Sequence, residues 1–227
     1  MRDWQQLPPF ERALIDHVAR YRASTDDVVR ELFFAEAKSM TTVQRAVAKV
    51  IARGWLDKFQ AAGRRNIYVL GRNFERSRAQ QGTTSSFSEQ SLPATLAILY
   101  FCVRHRHRRL TVPELREVDS RLCATGLRNS AYYVERTQTK LGLSLMLVDS
   151  GRPVRRLTWK VKRLVGQRAK RDGYRAWMLD RRFSITILTA FPAKQAQVAA
   201  AFAKTDRRLV PVRVALVPEI APYLAQT

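Results

Sequence analysis

Residues 41–54 read TTVQRAVAKVIARG, and residues 55–70 continue as WLDKFQAAGRRNIYVL. The apolar side chains of the first stretch recur every three or four residues, which predicts an amphipathic helix with one buried face. Thr41 or Thr42 is expected to cap the start of this helix, and Gly54 to end it in a left-handed conformation. The buried stripe is expected to consist of Val43, Ala46, Val47, Val50 and Ile51.

The opposite face of this predicted helix is polar and basic. Small, amide-bearing and positively charged side chains can enter a DNA major groove and reach base edges or phosphates. An ordinary solvent-facing helix is the alternative interpretation. If the helix reads DNA, we expect the contacts to come from Thr41, Thr42, Gln44, Arg45 and Lys49.

Two predicted strands follow the helix. Residues 55–59 and 66–70 have the composition of strands, and the connection between them contains a glycine, which predicts a β-hairpin. Its tip carries Arg64 and Arg65, which we expect to lie along phosphates or in a minor groove. Because two helical patterns precede the segment at 41–54, the order is three helices and a basic-tipped hairpin. That order resembles a winged helix-turn-helix domain, which we expect to span residues 1–71.

The charge of the chain is strongly positive, with 41 Lys and Arg against 19 Asp and Glu. An excess of this size attracts polyanions, and nucleic acid is the usual intracellular one. Residues 1–71 carry 12 basic and 8 acidic groups, whereas residues 93–227 carry 26 and 9. The excess therefore lies mainly outside the segment expected to read DNA. Without a predicted membrane span or signal-peptide core, and with only two cysteines, we expect a cytoplasmic protein.

Residues 72–92 are rich in Ser, Thr, Gln and Arg and poor in aliphatic side chains, which predicts a linker. Beyond it, helical and strand-like patterns alternate. The sequence therefore predicts an α+β protein whose residues 93–227 form an α/β domain with a mixed sheet flanked by helices. The expected strands are 131–134, 143–148, 154–159, 175–179, 183–189 and 210–217, and the expected helices are 93–109, 112–123, 160–171 and 192–203.

The stretch from Gly151 to Arg182 holds much of the positive charge, with 12 basic and two acidic residues. Lys and Arg at this density displace counterions from a phosphate backbone and give salt-dependent, sequence-tolerant affinity. A solvated basic helix is the plainer interpretation. The phosphate contacts expected of this domain are Arg152, Arg155, Arg156, Lys160, Lys162 and Arg163.

Several short stretches of the second domain resemble stretches of a known family. They are Tyr132–Glu135, Leu147–Gly151, Trp159–Arg163 and Arg182–Thr189. Together with the winged helix in front, they make the chain resemble the replication-relaxation family of plasmids and other mobile elements. The resemblance implies a role in replication, transfer or transcription regulation, and a C-terminal domain related to the restriction-endonuclease-like core.

A nuclease of that kind needs two carboxylates for magnesium and a lysine two positions beyond the second acid on the same strand. Glu135 and Asp149 are the candidate acids, but Ser150 and Gly151 follow Asp149 in place of that lysine. The simpler interpretation is a degenerate domain without the chemistry. We therefore expect no catalytic residues, no metal and no cofactor.

The expected function is sequence-specific binding of double-stranded DNA, by a non-enzymatic protein that takes no evident small-molecule substrate and binds no membrane. The basic domain would contact phosphates or mediate self-association, and a homodimer is one of the assemblies that the sequence allows. Three alternatives remain. They are a magnesium-dependent nuclease or nicking accessory using Glu135 and Asp149, a plasmid replication initiator with a second winged helix (helices at 94–104, 112–123 and 127–138, hairpin at Ser150-Gly151), and a protein-interaction adaptor.

Overall fold

A computed structural model of the chain describes residues 6–37, 39–61, 65–74, 92–123, 131–136, 140–203 and 210–224. The protein is α+β, as predicted, and divides into two compact units, Met1–Leu99 (unit 1) and Tyr100–Thr227 (unit 2). The division falls inside the helix Leu92–Arg104. Most of the predicted linker lies outside the described residues. No helix in the described part of the chain is both long and apolar enough to cross a membrane.

Residues 9–70 of unit 1 form the helices α1, α2 and α3 and a small antiparallel sheet with strand order β1-β3-β2. The β2–β3 pairing runs from Leu56 opposite Leu70 to Ala61 opposite Arg65, so the predicted hairpin is present and slightly longer than expected. The elements are α1 (Pro9–Tyr21), β1 (Ser24–Thr25), α2 (Asp26–Phe33), α3 (Met40–Ala52), β2 (Leu56–Ala61) and β3 (Arg65–Leu70).

The ends of α3 differ in how well the sequence predicted them. Ser39, and not Thr41 or Thr42, caps the helix, because its extended backbone lets Oγ accept the N–H of Thr41 at 3.1 Å. The two threonines consequently lie in the first turn. At the other end, Gly54 takes the left-handed conformation as predicted, with φ of 71°.

The core of unit 1 lies between α1, α3 and the hairpin. The predicted stripe of α3 is confirmed for Val43, Val47 and Val50, which are fully buried, while Ile51 is partly buried against the same core. The other buried members of this core are Leu7, Leu14, Ile15, Val18, Val29, Trp55, Leu56 and Tyr68.

Unit 2 is built on a four-stranded mixed sheet with order β4-β5-β6-β7. Strands β4 and β5 are antiparallel, whereas β5, β6 and β7 run parallel to one another. The elements are α4 (Leu92–Arg104, shared by the two units), α5 (Val112–Val118), β4 (Ala131–Arg136), β5 (Leu141–Val148), α6 (Val154–Ala169), α7 (Asp172–Leu179), β6 (Phe183–Thr189), α8 (Pro192–Ala203), β7 (Val212–Leu216) and α9 (Ala221–Leu224).

Two predicted strands of this domain were wrong. Residues 154–159 form the first turns of α6, because Leu157, Val161 and Arg168 form one buried stripe along a continuous helix. Residues 175–179 belong to α7, where Tyr174 and Trp177 bury one helical face. Two predicted helices also end early. The helix predicted over 93–109 ends at Arg104, and the helix predicted over 112–123 ends at Val118 and is followed by a 3-10 turn.

The two faces of this sheet are both buried but differ in composition. Leu145 and Ile187 are examples of the mainly apolar face, which belongs to the same buried core as side chains of α6, α7 and α8. The opposite face carries hydroxyl groups, with Thr186 Oγ1 lying 2.8 Å from both Tyr133 Oη and Ser144 Oγ. The predicted mixed sheet with packed helices is therefore present, and α6 lies on its apolar side.

Candidate nucleic-acid interface

Helix α3 of unit 1 presents its polar face to solvent. Val43 and Val47 on one side are completely buried, so the rotation of the helix about its axis is fixed by the core. Successive side chains four residues apart lie about 6 Å apart along a helix. They form an exposed line of threonine, arginine and lysine beside an exposed amide. The predicted contact residues Thr41, Thr42, Gln44, Arg45 and Lys49 are all exposed.

A single carboxylate joins this face to the rest of unit 1. Asp26 Oδ2 accepts hydrogen bonds from Gln44 Nε2 at 2.9 Å and from Asn66 Nδ2 at 2.8 Å. The hydroxyl of Tyr68 donates to the other oxygen of Asp26. Burial of the Tyr68 hydroxyl raises its pKa, and the hydrogen bond to Asp26 raises this pKa further. Asp26 thus ties the start of α2 to α3 and to β3, and it occupies the amide of Gln44, which sequence reasoning had assigned to DNA alone.

The C-terminal end of α3 is held by two further contacts. The guanidinium of Arg53 forms a salt bridge with the buried carboxylate of Glu11 on α1. The amide of Asn73, just beyond the hairpin, donates to the carbonyl oxygen of Arg53 at 2.7 Å. Together with Asp26, these contacts fix both ends of the exposed face relative to the hairpin.

The hairpin contributes one described basic residue near its tip. Arg65 is the first residue of β3, lies opposite Ala61 and is exposed. Arg64, the other predicted wing arginine, lies outside the described residues.

In unit 2 the predicted phosphate contacts come together on one element. Arg155, Arg156, Lys160, Lys162 and Arg163 are all exposed on α6, and exposed Arg152 lies in the loop just before it. Among the residues that the structure describes, none of these six side chains forms a salt bridge with a carboxylate. Arg155 and Arg156 were predicted on a strand, whereas Lys160, Lys162 and Arg163 were predicted on a helix. In the structure these five residues lie on one helix and are therefore closer together than expected.

The cations of α6 repel one another. Desolvation and the neighbouring charges of Arg152 and Arg163 lower the pKa of Lys160. A polyanion on this surface would relieve that repulsion, because negative charge favours the protonated amine. The exposed surface of α6 made by Arg155, Arg156, Trp159, Lys160, Lys162 and Arg163 is called the α6 surface below.

One arginine of α6 faces inward and anchors the helix. Arg168 is 1% exposed, and its Nε donates to Tyr132 Oη at 2.9 Å. Its guanidinium carbon also lies 5.8 Å from the ring centres of Tyr132 and Tyr174. The Tyr174 hydroxyl donates to the carbonyl oxygen of Leu122 at 3.0 Å. Sequence reasoning missed this role, although the spacing of four and seven residues from Leu164 and Val161 was a signal for it.

Trp159 is the aromatic member of the α6 surface. It is 60% exposed, whereas Trp55 and Trp177 are buried. The guanidinium carbon of Arg163 lies 4.8 Å from the centre of its ring, within cation–π range. Trp159 was predicted at the end of the strand 154–159 and lies in the basic stretch Trp159–Arg163 of the family resemblance, and no binding role was predicted for it.

The candidate nuclease acids are far apart. Glu135 lies opposite Gly142, near the start of β5, whereas Asp149 follows the end of that strand. Seven residues of extended chain separate those positions, which is about 23 Å at the usual rise of a strand. Two carboxylates that bind one metal ion lie within a few ångströms of it, so the alternative in which Glu135 and Asp149 share a magnesium ion is wrong.

Each of these acids also has other partners. Glu135 accepts two hydrogen bonds from Arg213 Nη1, at 2.6 and 2.5 Å, and one from the Tyr133 hydroxyl at 2.9 Å. Asp149 is 3% exposed, accepts the N–H of Gly151 at 3.2 Å, and has a pKa raised by burial. Within the described ranges, no group of three His, Cys, Asp or Glu side chains has an arrangement that could hold a metal.

The initiator alternative also conflicts with the fold of unit 2. It requires a helix over 127–138 and a hairpin at Ser150-Gly151. Residues 131–136 instead form β4, and α6 begins at Val154 directly after the loop that contains Gly151. A second winged helix is therefore wrong for this segment.

The comparisons with known proteins leave the two surfaces to be interpreted from their own residues. No family model, no curated protein and no solved structure matches the chain.

Proposed function

We propose that this protein binds double-stranded DNA, with unit 1 acting as a winged helix-turn-helix domain that selects the sequence. The observation that carries the proposal is the exposed face of α3. Arg45 and Lys49 lie on it in line with Thr41, while the opposite side of the helix is completely buried. A helix presented in this way fits the major groove, where arginine and lysine reach guanine and the backbone.

The connection through Asp26 supports a division of roles on this face. Because the amide nitrogen of Gln44 is bonded to Asp26, Gln44 offers chiefly its carbonyl oxygen to DNA. Arg45 and Lys49 have no such partner among the described residues, so they carry most of the proposed base and phosphate contacts. In this proposal Arg65, which is exposed near the hairpin tip, adds a phosphate or minor-groove contact.

Unit 2 supplies sequence-tolerant affinity in this proposal. The α6 surface carries five exposed cations on one helix, and Arg152 adds a sixth just before it. Such a surface contacts phosphates without reading bases, so it strengthens binding to any DNA. The protein takes no cofactor and performs no catalysis in this proposal.

The biological setting follows from the family that the sequence resembles. We place the protein in the bacterial cytoplasm, on a plasmid or the nucleoid, as a regulator of replication, transfer or transcription of a mobile element. Self-association into a homodimer would double the number of reading helices and favour a palindromic target.

The test is selection of bound sequences from a random duplex pool, followed by footprinting on the enriched site. Wild-type protein should enrich a defined motif. Arg45→Ala should relax the preference at one or two positions, because a bidentate arginine contact contributes about 1–3 kcal/mol of discrimination. Arg12→Ala is the matched control, since it removes the same charge from α1, outside the proposed surface.

The outcomes separate DNA binding from the protein-interaction alternative. If wild-type protein enriches no motif and leaves no footprint, the proposed role of unit 1 is refuted, and an adaptor with an acidic partner becomes the better interpretation. If Arg45→Ala and Arg12→Ala change the motif equally, α3 is not the reading element.

A further inference from the structure

The position of Trp159 on α6 is fixed by the core. Leu157 and Val161 point into the apolar side of the sheet, and each helical residue turns the side chain by about 100°. Trp159 is two residues from each of them, so it points almost directly away from the core. Its indole is therefore held in solvent, and packing it inward would require rotation of the whole helix.

Basic side chains surround this indole at every neighbouring helical position. Residues three and four apart on a helix lie side by side, so Arg155, Arg156, Lys162 and Arg163 are the neighbours of Trp159. All four are exposed, and Arg163 already lies against the ring. The result is a flat aromatic group inside a ring of positive charge.

Binding of duplex DNA would use the cations of this surface but not the indole. Paired bases are stacked inside the double helix, so their faces cannot contact the indole of Trp159. Unpaired bases present their flat faces, and proteins that bind single strands combine a cationic track with aromatic rings on which bases stack. An apolar protein partner would have to desolvate four charges around the tryptophan, at considerable cost.

From this arrangement we infer that the α6 surface binds single-stranded or locally opened DNA, with a base stacked on Trp159 and the flanking phosphates held by its four basic neighbours. The inference rests on the proposed function of unit 2 and narrows its substrate class. Stacking is tolerant of sequence, since every base has a π-face.

The experiment uses the full-length protein and two fluorescein-labelled DNAs of equal length, an oligo(dT) strand and a mixed-sequence duplex. Affinities are measured by fluorescence anisotropy for wild type, Trp159→Ala, Trp159→Phe and Leu179→Ala. Leu179 is the matched control, because it is an exposed apolar side chain of unit 2 that lies on α7, outside the α6 surface.

We expect Trp159→Ala to weaken binding of oligo(dT) by about 10-fold or more, since stacking on one aromatic ring is a substantial contribution to single-strand affinity. Its duplex affinity should change less than twofold. Trp159→Phe should recover most of the single-strand affinity, and Leu179→Ala should match wild type. Binding of oligo(dT) should also quench tryptophan emission in wild type, and this quenching should shrink in Trp159→Phe.

Three results would overturn the inference, and one would overturn the proposal beneath it. Equal weakening on both DNAs, no weakening on either, or failure of phenylalanine to rescue would each show that the indole does not stack on bases. Wild-type protein that binds neither DNA would instead refute the proposed function. Circular dichroism melting of each variant checks that the exposed substitutions leave the fold intact.

Discussion

The cations of the α6 surface allow a quantitative prediction about salt. Replacing Arg155, Arg156 and Lys162 together by glutamine keeps a polar side chain of similar helix propensity while removing three charges that are exposed on α6. Each phosphate contact contributes about 0.9 to the slope of log Kobs against log salt for duplex DNA. If all three make contacts, the slope should become shallower by about 2.7.

The assay is fluorescence anisotropy with a mixed-sequence duplex between about 50 and 200 mM salt, the range over which such slopes are resolved. A slope lower by about 2.7 changes the loss of affinity across that range by about 40-fold. The charge-matched control replaces three exposed arginines of unit 2 on other elements, namely Arg116, Arg136 and Arg175.

The comparison between the two triple variants shows whether phosphates contact the α6 surface or respond only to the overall charge of unit 2. A control slope close to that of wild type, beside a shallower slope for the α6 variant, places the phosphates on the α6 surface. Equal reductions in both would mean that only the overall charge of the domain matters. An unchanged slope in the α6 variant would refute phosphate contact by these residues.

Two further predictions concern unit 1. Asp26→Ala should lower the free energy of unfolding by about 2 kcal/mol, because three hydrogen-bond donors lose their charged acceptor; urea unfolding measures this, and Asp27→Ala, which removes the adjacent exposed acid, should cost less than about 0.5 kcal/mol. Equal losses would mean that only the charge at the start of α2 is important. Burial, then the charge of Arg20, lowers the pKa of His17 from 6.5 to about 4. Between pH 6.5 and 4, His17 is therefore protonated in the unfolded chain but not in the folded one. The free energy of unfolding should keep its full value above pH 6.5 and fall by up to about 3 kcal/mol as the pH drops towards 4. His17→Asn should flatten this part of the urea-unfolding profile, and an unchanged profile would contradict the assignment.

Unit 1 was largely predictable because its signals are local. The apolar spacing around Val47 and the glycine at position 54 specify α3 and its end from neighbouring residues alone. In unit 2, the alternation over Phe183–Thr189 is an equally local signal, and it predicted the observed limits of β6. In each case the period of the pattern and the secondary structure agree.

The first turns of α6 and the end of α7 were mispredicted because short windows with β-branched or aromatic residues, such as Val154, Thr158 and Trp177, favour strands. Only the longer stripe that includes Val161 and Arg168 shows that the helix continues. Partners distant in sequence could not be found at all. Gln44 and Asp26 are 18 residues apart, and nothing in either residue's neighbours indicates that they meet.

The buried Arg168 has a consequence for the thermodynamics of binding. By fixing the end of α6 against Tyr132, it helps hold the exposed side of that helix in one orientation before any ligand arrives. The conformational entropy of ordering the backbone is thus lost during folding and not at the moment of association. A ligand that meets the helix has only side-chain rotamers left to restrict, so more of the contact energy remains as affinity.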